Sequence, residues 1–292
     1  MMDRGVRADP PPIEDGAPVG CTRMPAYLDS ILVAHRAAAA QDGRDPGAVV
    51  DEARELCLRE GEVGRRDFVQ ALVSGHAARG MAVISEIKRR SPSKGELDLT
   101  LDPAVVAGEY EAGGASCLSV LTDEEFFGGS RSDLVAARAA CTLPVLRKDF
   151  TVSALDVCDA RTLGADAVLL IVAALDDLEL VTFLTLAREL GLAALVEVHD
   201  EPELDRALAV GADLIGVNQR DLRTFEVDRD RALRMGERMP EGVVAVAESG
   251  IRDAVDVERL ASVGYSAVLV GETLVRSADR RSAVDALLGA PI

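Results

Sequence analysis

A chain of 292 residues with 48% hydrophobic side chains can build a large core, and because a single α/β barrel runs to about 250 residues, one domain plus an extension is the expected organisation. Lys and Arg number 32 against 50 Asp and Glu, a formal charge of −18, which argues against a nucleic-acid partner or an anionic membrane surface. Any anionic ligand must therefore find a locally positive pocket. The cysteines at Cys21, Cys57, Cys117, Cys141 and Cys158 have no zinc or redox spacing and are expected to be reduced, mostly buried thiols. No apolar stretch approaches the ~20 residues that span a bilayer, and the first residues lack an apolar signal core, so no membrane partner is expected and the cytoplasm is the expected compartment.

Residues 1–24 carry Pro10, Pro11 and Pro12, several glycines and no periodicity, the composition of a disordered tail. Met24 directly precedes the first helical pattern and is a candidate translation start, which the N-terminal mass of natively expressed protein would decide. From Pro25, Leu28, Ile31, Leu32 and His35 mark an amphipathic helix. Asp45-Pro46 reads as an N-cap followed by proline at the first helical position, opening a second helix with Val49, Ala53, Leu56 and Cys57 on one face. A third is expected over 66–77. Residues 25–80 thus form a helical extension, a lid or brace rather than a second folding unit, ahead of a domain over 81–292.

Strand-length apolar runs then recur at 82–88, 115–121, 143–148, 166–172, 192–198, 213–218, 243–248 and 266–271, separated by helical patterns such as Asp102-Pro103 to Tyr110 and Asp176 to Leu190. Near-continuous apolar strands alternating with helices indicate a parallel sheet covered by helices. Gly114-Ala115-Ser116, Gly164-Ala165-Asp166, Gly211-Ala212-Asp213 and Gly264-Tyr265-Ser266 each lead into an even-numbered strand, a repeat of about 50 residues that equals two β-α units. The fold class is α/β, a (βα)8 TIM barrel with an N-terminal helical extension.

The polar residues fall at one end of the strands. Lys88 closes strand one, Lys148 strand three, Glu197 strand five, Asn218 strand six and Glu248 strand seven, with Glu86 two residues before Lys88 on the same face. The carboxyl end of such a barrel carries the active site, and side chains this costly to bury are best explained by convergence there. Either lysine alone reads as a solvated loop residue; the set of strand ends does not. Ser249-Gly250 after strand seven and Gly271-Glu272 after strand eight place glycines where backbone N–H groups approach a phosphate closely, and Ser91, in the polar loop after strand one, adds a hydroxyl. Singly these are weak signals, because turns use the same residues. With no Gly-rich nucleotide loop, metal-spaced histidine cluster or Ser- or Cys-His nucleophile, no nucleotide, metal or other cofactor is expected. Arg89 and Arg90 read as a solvated rim, and His199, on the same face as Glu197, as a loop hydrogen-bonding residue.

The blocks Ser85–Gly95 (SEIKRRSPSKG), Pro144–Phe150 (PVLRKDF), Leu195–His199 (LVEVH), Ile215–Leu222 (IGVNQRDL) and Ala247–Ile251 (AESGI) resemble, in order and spacing, those of indole-3-glycerol phosphate synthase, the ring-closing enzyme of tryptophan biosynthesis. The resemblance runs from about residue 25 to the end and includes the helical extension. It implies a cofactor-free carboxy-lyase acting on a small-molecule partner, 1-(2-carboxyphenylamino)-1-deoxyribulose 5-phosphate, and releasing carbon dioxide, water and indole-3-glycerol phosphate. It further implies Lys148 as the general acid of ring closure, Glu197 as the base, and Lys88 as a second acid and carboxylate partner. Glu86, Asn218 and Glu248 would orient these groups, Arg220 would pair with the substrate carboxylate, and Ser91, Ser249, Gly250, Gly271 and the Glu272 backbone would hold phosphate. Phe127 and Phe150 are candidates to flank the aromatic ring, with ordinary packing the competing reading. A monomer is the working expectation.

Gln219 and Arg90 depart from the family pattern, which commonly has small residues there, and bear on substrate affinity rather than reaction type. Two alternatives share the fold. A phosphoribosyl isomerase barrel needs a cysteine or aspartate pair at the ends of strands one and six, where this chain has Lys88 and Asn218. A non-catalytic phosphosugar-binding or regulatory barrel has no need of Lys88, Lys148 and Glu197 together.

Overall fold

The computed structural model describes residues 27–61 and 64–289. The expected tail over 1–24 and the candidate start at Met24 lie outside them. Three helices come first: α1 (Tyr27–Gln41), α2 (Pro46–Glu60) and α3 (Phe68–Arg79). Asp45 caps α2 by accepting from the Ala48 N–H, with Pro46 in its first turn, as the sequence indicates. The third helix lies two residues later than expected because Asp67 is its N-cap, accepting from the Gln70 N–H at 2.8 Å. Arg66 instead turns its backbone N–H to Asp166 at 3.0 Å.

Eight parallel strands follow: β1 (Ala82–Ile87), β2 (Cys117–Leu121), β3 (Val145–Lys148), β4 (Ala167–Ile171), β5 (Ala193–Val198), β6 (Leu214–Asn218), β7 (Val244–Glu248) and β8 (Ala267–Val270). Each pairs with the next, and β8 closes on β1, with Ser85 opposite both Leu118 and Val270. The covering helices are α4 (Pro103–Ala112), α5 (Arg131–Ala140), α6 (Ala154–Thr162), α7 (Asp177–Glu189), α8 (Glu201–Ala209), α9 (Arg229–Gly236), α10 (Ala254–Ala261), the short α11 (Glu272–Val275) and α12 (Arg280–Leu288). No helix among the described residues is long and apolar enough to cross a membrane.

Several strands start later than the apolar runs suggest. The repeated Gly-Ala pairs belong to the preceding helices: Gly114, Gly164, Gly211 and Gly264 all have left-handed φ, from 74° to 94°. The next N–H then bonds back into the helix, as Ala115 does to the Tyr110 carbonyl at 3.1 Å. The repeat is thus a helix stop that aims the chain into an even-numbered strand. Strand β1 ends at Ile87, one residue short of Lys88, and a two-stranded ribbon (Arg90–Ser91 with Gly95–Glu96) occupies the loop beyond it.

Side-chain alternation sets the floor of the site. With Glu86, Lys148, Glu197 and Glu248 pointing inward, Ile84, Leu146, Leu195 and Val246, two residues earlier, lie on the same inward face and are fully buried beneath them. Among the described cysteines, Cys117, Cys141 and Cys158 are buried, Cys57 is half-buried, and all four are free thiols.

Candidate active site

A cavity of about 870 Å³ opens at the carboxyl end of the barrel, lined by Glu86, Lys88, Lys148, Glu197, Asn218 and Glu248 together. Lys148 Nζ lies 2.7 Å from Glu197 Oε2 and 3.0 Å from Glu248 Oε2, so one ammonium is shared by carboxylates from two strands. The other Glu197 oxygen accepts from Asn218 Nδ2 at 3.1 Å. Lys88 forms a separate ion pair with Glu86.

The electrostatics separate the two carboxylates on Lys148. Burial pushes both toward the neutral form. At Glu197 it is outweighed by Lys148 and by His199, whose Nε2 is 3.4 Å away, and the group is held well below the ordinary carboxylate range. At Glu248, burial and the neighbouring charge of Glu197 outweigh Lys148 and raise the pKa to about 7. Glu248 Oε1 has no hydrogen-bond partner among the described residues. Lys148 stays protonated: burial lowers its pKa, but Glu197, Glu248 and Glu86 raise it further. His199 donates its backbone N–H to Glu203 and places Nδ1 3.0 Å from the same carboxylate, the loop role expected of it, while Glu197 and Glu203 raise its pKa to about 9 against burial.

Two glycines make room for this arrangement. A Cβ on Gly216 would stand 2.1 Å from Glu248 Oε1, and one on Gly271 would stand 2.3 Å from Glu86 Oε1. The sequence signals only the first of these clearances, through a glycine inside strand β6, where a missing side chain marks a close approach.

Beside these carboxylates, Ser249 (φ 66°) and Gly250 (φ 75°) make a left-handed turn directly after β7, and Gly271 opens α11. Gly250, Glu272 and Thr273 line the cavity, and the first-turn N–H groups of α11, those of Glu272 and Thr273, have no intrahelical acceptor. Thr273 Oγ1 ties the two loops by donating to the Ile251 carbonyl at 2.8 Å. Lys94, Arg229, Arg252 and Arg276 line the same cavity, Lys94 and Arg276 within ion-pair distance of Glu272 and Arg252 of Asp256. Of these, only Lys94 belongs to a segment singled out in the sequence. The arginines are scattered through loops and helices, where charge alone marks nothing.

Arg220 is half-buried, donates to the Phe225 carbonyl at 3.0 Å, and has no carboxylate within ion-pair distance among the described residues; burial lowers its pKa. Ser91, Phe127 and Phe150 also line the cavity, the two rings 6.3 Å apart. Leu222 and Phe225 extend the apolar wall and were not singled out in the sequence. Neither departure from the family pattern lines the cavity. Gln219 is buried behind it, donating to the Ser249 carbonyl at 2.7 Å. Arg90 reaches the Glu124 and Glu125 carbonyls, and Arg89 makes a two-pronged pair with Asp133, so the expected solvated rim is a pair of loop anchors. Among the described residues His35, Asp123 and Asp149 have metal-compatible spacing. Their four carboxylate oxygens already face donors: His35 and the N–H groups of Phe126 and Phe127 for Asp123, and Thr122, Arg147 and the Phe150 N–H for Asp149.

The model of the indole-3-glycerol phosphate synthase family matches residues 29–287. The chain belongs to that family. Relatives include the indole-3-glycerol phosphate synthase of Mycolicibacterium vanbaalenii, 49% identical over 90% of this chain and 94% of the relative, and that of Nocardioides sp., 55% identical over 73% and 82%. Indole-3-glycerol phosphate synthase 2 of Streptomyces coelicolor is 52% identical over 77% and 85%. Solved structures of a 3-hexulose-6-phosphate synthase (TM-score 0.56, 18% identity, 73% of this chain and 100% of that one) and of a thiamine phosphate pyrophosphorylase from Pyrococcus furiosus (0.55, 16%, 72% and 94%) share the barrel. Membership in the synthase family accounts for the extension as well as the barrel, since the matched region begins within α1.

Proposed function

We propose that the cavity performs the synthase reaction of tryptophan biosynthesis, converting 1-(2-carboxyphenylamino)-1-deoxyribulose 5-phosphate to indole-3-glycerol phosphate, with loss of carbon dioxide and water. The observation that carries the assignment of roles is one buried ammonium, Lys148, held between Glu197 and Glu248 on an apolar floor. Phosphate is held by the Gly250 and Gly271–Thr273 backbone with Ser91 and Ser249, and the aromatic ring lies against Phe127 and Phe150. Arg220, with no carboxylate partner among the described residues, takes that of the substrate.

In ring closure, the aromatic carbon bearing the carboxylate attacks the ribulose carbonyl, and Lys148 protonates the developing alkoxide. The bond to the carboxylate then breaks, and its electrons restore the aromatic ring as the iminium-like nitrogen is neutralised, so the substrate supplies its own electron sink. In dehydration, Glu197, ionised at neutral pH, removes the proton from the carbon beside nitrogen while Lys88 protonates the departing hydroxyl. Glu86 orients Lys88, Asn218 orients Glu197, and Glu248 keeps Lys148 centred.

Product fluorescence provides the test. Wild type turns over, Lys148→Ala abolishes turnover, and Glu197→Ala slows it greatly. Folded wild type that binds the substrate without converting it would contradict catalysis and favour a binding barrel.

A further inference from the structure

Helix α1 belongs to the extension, yet it packs against residues that line the cavity. Tyr27 packs edge-on against Phe126 and Phe225, whose loops follow β2 and β6, at centroid distances of 5.9 and 4.9 Å. Two turns further along, His35 makes two contacts of different kinds. Its Nε2 lies 2.8 Å from Asp123 Oδ2, and its ring centroid lies 5.3 Å from that of Phe150. Asp123 in turn accepts the Phe126 N–H at 2.6 Å and the Phe127 N–H at 3.1 Å through its other oxygen, fixing the turn that carries Phe127. A single imidazole therefore packs on one ring of the aromatic wall and bonds the carboxylate that sets the backbone of the other.

We infer that His35 is a positioning residue, fixing Phe127 and Phe150 at the spacing that grips the aromatic ring of the substrate. This rests on the proposed function. The residue type matters: an imidazole combines, in one small ring, a surface that packs against Phe150 with an N–H for Asp123. Glutamine keeps a donor and loses the face. Phenylalanine keeps the face and leaves a buried carboxylate oxygen without its donor. Burial lowers the pKa of His35, but the bond to Asp123 and the charges of Asp149, Asp123 and Asp156 more than compensate, so the pair is kept.

The chain contains no tryptophan, so the indole fluorescence of added indole-3-glycerol phosphate reports its binding with little protein background. Binding of this ligand and of inorganic phosphate, the latter by competition, is compared in wild type, His35→Gln and His35→Phe, each checked for a cooperative melt. Both variants should weaken the indole ligand by about 3- to 10-fold, the range of a displaced aromatic contact, while phosphate affinity is unchanged. KM for substrate should rise by the same factor, with kcat within about twofold of wild type. Unchanged indole binding in either folded variant would make His35 a brace for α1 only and overturn the inference. An equal loss of phosphate affinity would overturn it as well, as a general collapse of the pocket. Failure of wild type to bind the indole ligand at all would instead strike the proposed function.

Discussion

Asp166 and Glu248 are both nearly fully buried carboxylates, 5% and 1% exposed, and each sits beside a cation at an opposite end of the barrel. At the amino end, Asp166 accepts the Arg66 N–H at 3.0 Å, the Val145 N–H at 2.9 Å and the Arg138 guanidinium, so both oxygens are satisfied, in part by fixed backbone. At the carboxyl end, Glu248 has, among the described residues, only Lys148, which it shares with Glu197, and its second oxygen has no partner there. A saturated buried charge holds elements together; an under-donated one is poised to change protonation or partner. The contrast separates the charge that builds this barrel from the charge that works in it.

Substitutions should break the two ends differently. The largest effect is expected for Lys148→Ala, which removes the proposed general acid and should lower kcat/KM by about a thousandfold or more in the product-fluorescence assay while leaving a cooperative melt. Asp166→Ala should do the reverse, lowering unfolding free energy in urea by about 3–5 kcal/mol, because Arg138 loses its buried partner, with kcat of the folded fraction unchanged. Glu248→Gln sharpens the comparison through pH. A folded pKa of about 7, raised from 4.5, means that the contribution of Glu248 to stability is fully present below pH 4.5 and is lost as pH rises through 7. The glutamine variant should therefore gain on wild type over that window, by on the order of 3 kcal/mol in denaturant titrations, while losing activity through a misplaced Lys148. The smallest effect is expected for Ser249→Gly. It relieves a left-handed φ of 66° and should gain about 1 kcal/mol or less in the same titrations. KM should rise severalfold as the hydroxyl is lost.

The two ends were also unequally legible in the sequence. Lys88, Lys148, Glu197, Asn218 and Glu248 stood out because each interrupts or closes an apolar strand, and alternation fixed the face they share. The eight strands were visible for the same reason, although their starts were placed early where the Gly-Ala repeat caps the preceding helix. Asp166 shows in the sequence only as part of that repeat, since a carboxylate at a strand entrance looks like any turn residue until Arg138 and Arg66 are folded onto it. Arg89 and Arg90 misled for a related reason: a basic run reads as solvated unless the partners, here Asp133 and the Glu124 and Glu125 carbonyls, are known. The clearances at Gly216 and Gly271 were hidden because they depend on side chains from neighbouring strands.

The most direct test sets one residue from each end side by side. Lys148→Ala and Asp166→Ala are purified under the same conditions, and each is measured for urea unfolding and for turnover to indole-3-glycerol phosphate. Loss of turnover in a first variant that still unfolds in one cooperative transition, and a lowered midpoint with normal kcat in the second, is the predicted outcome. Substantial turnover by Lys148→Ala, or a folded Asp166→Ala that is inactive, would contradict the division of labour between the two ends.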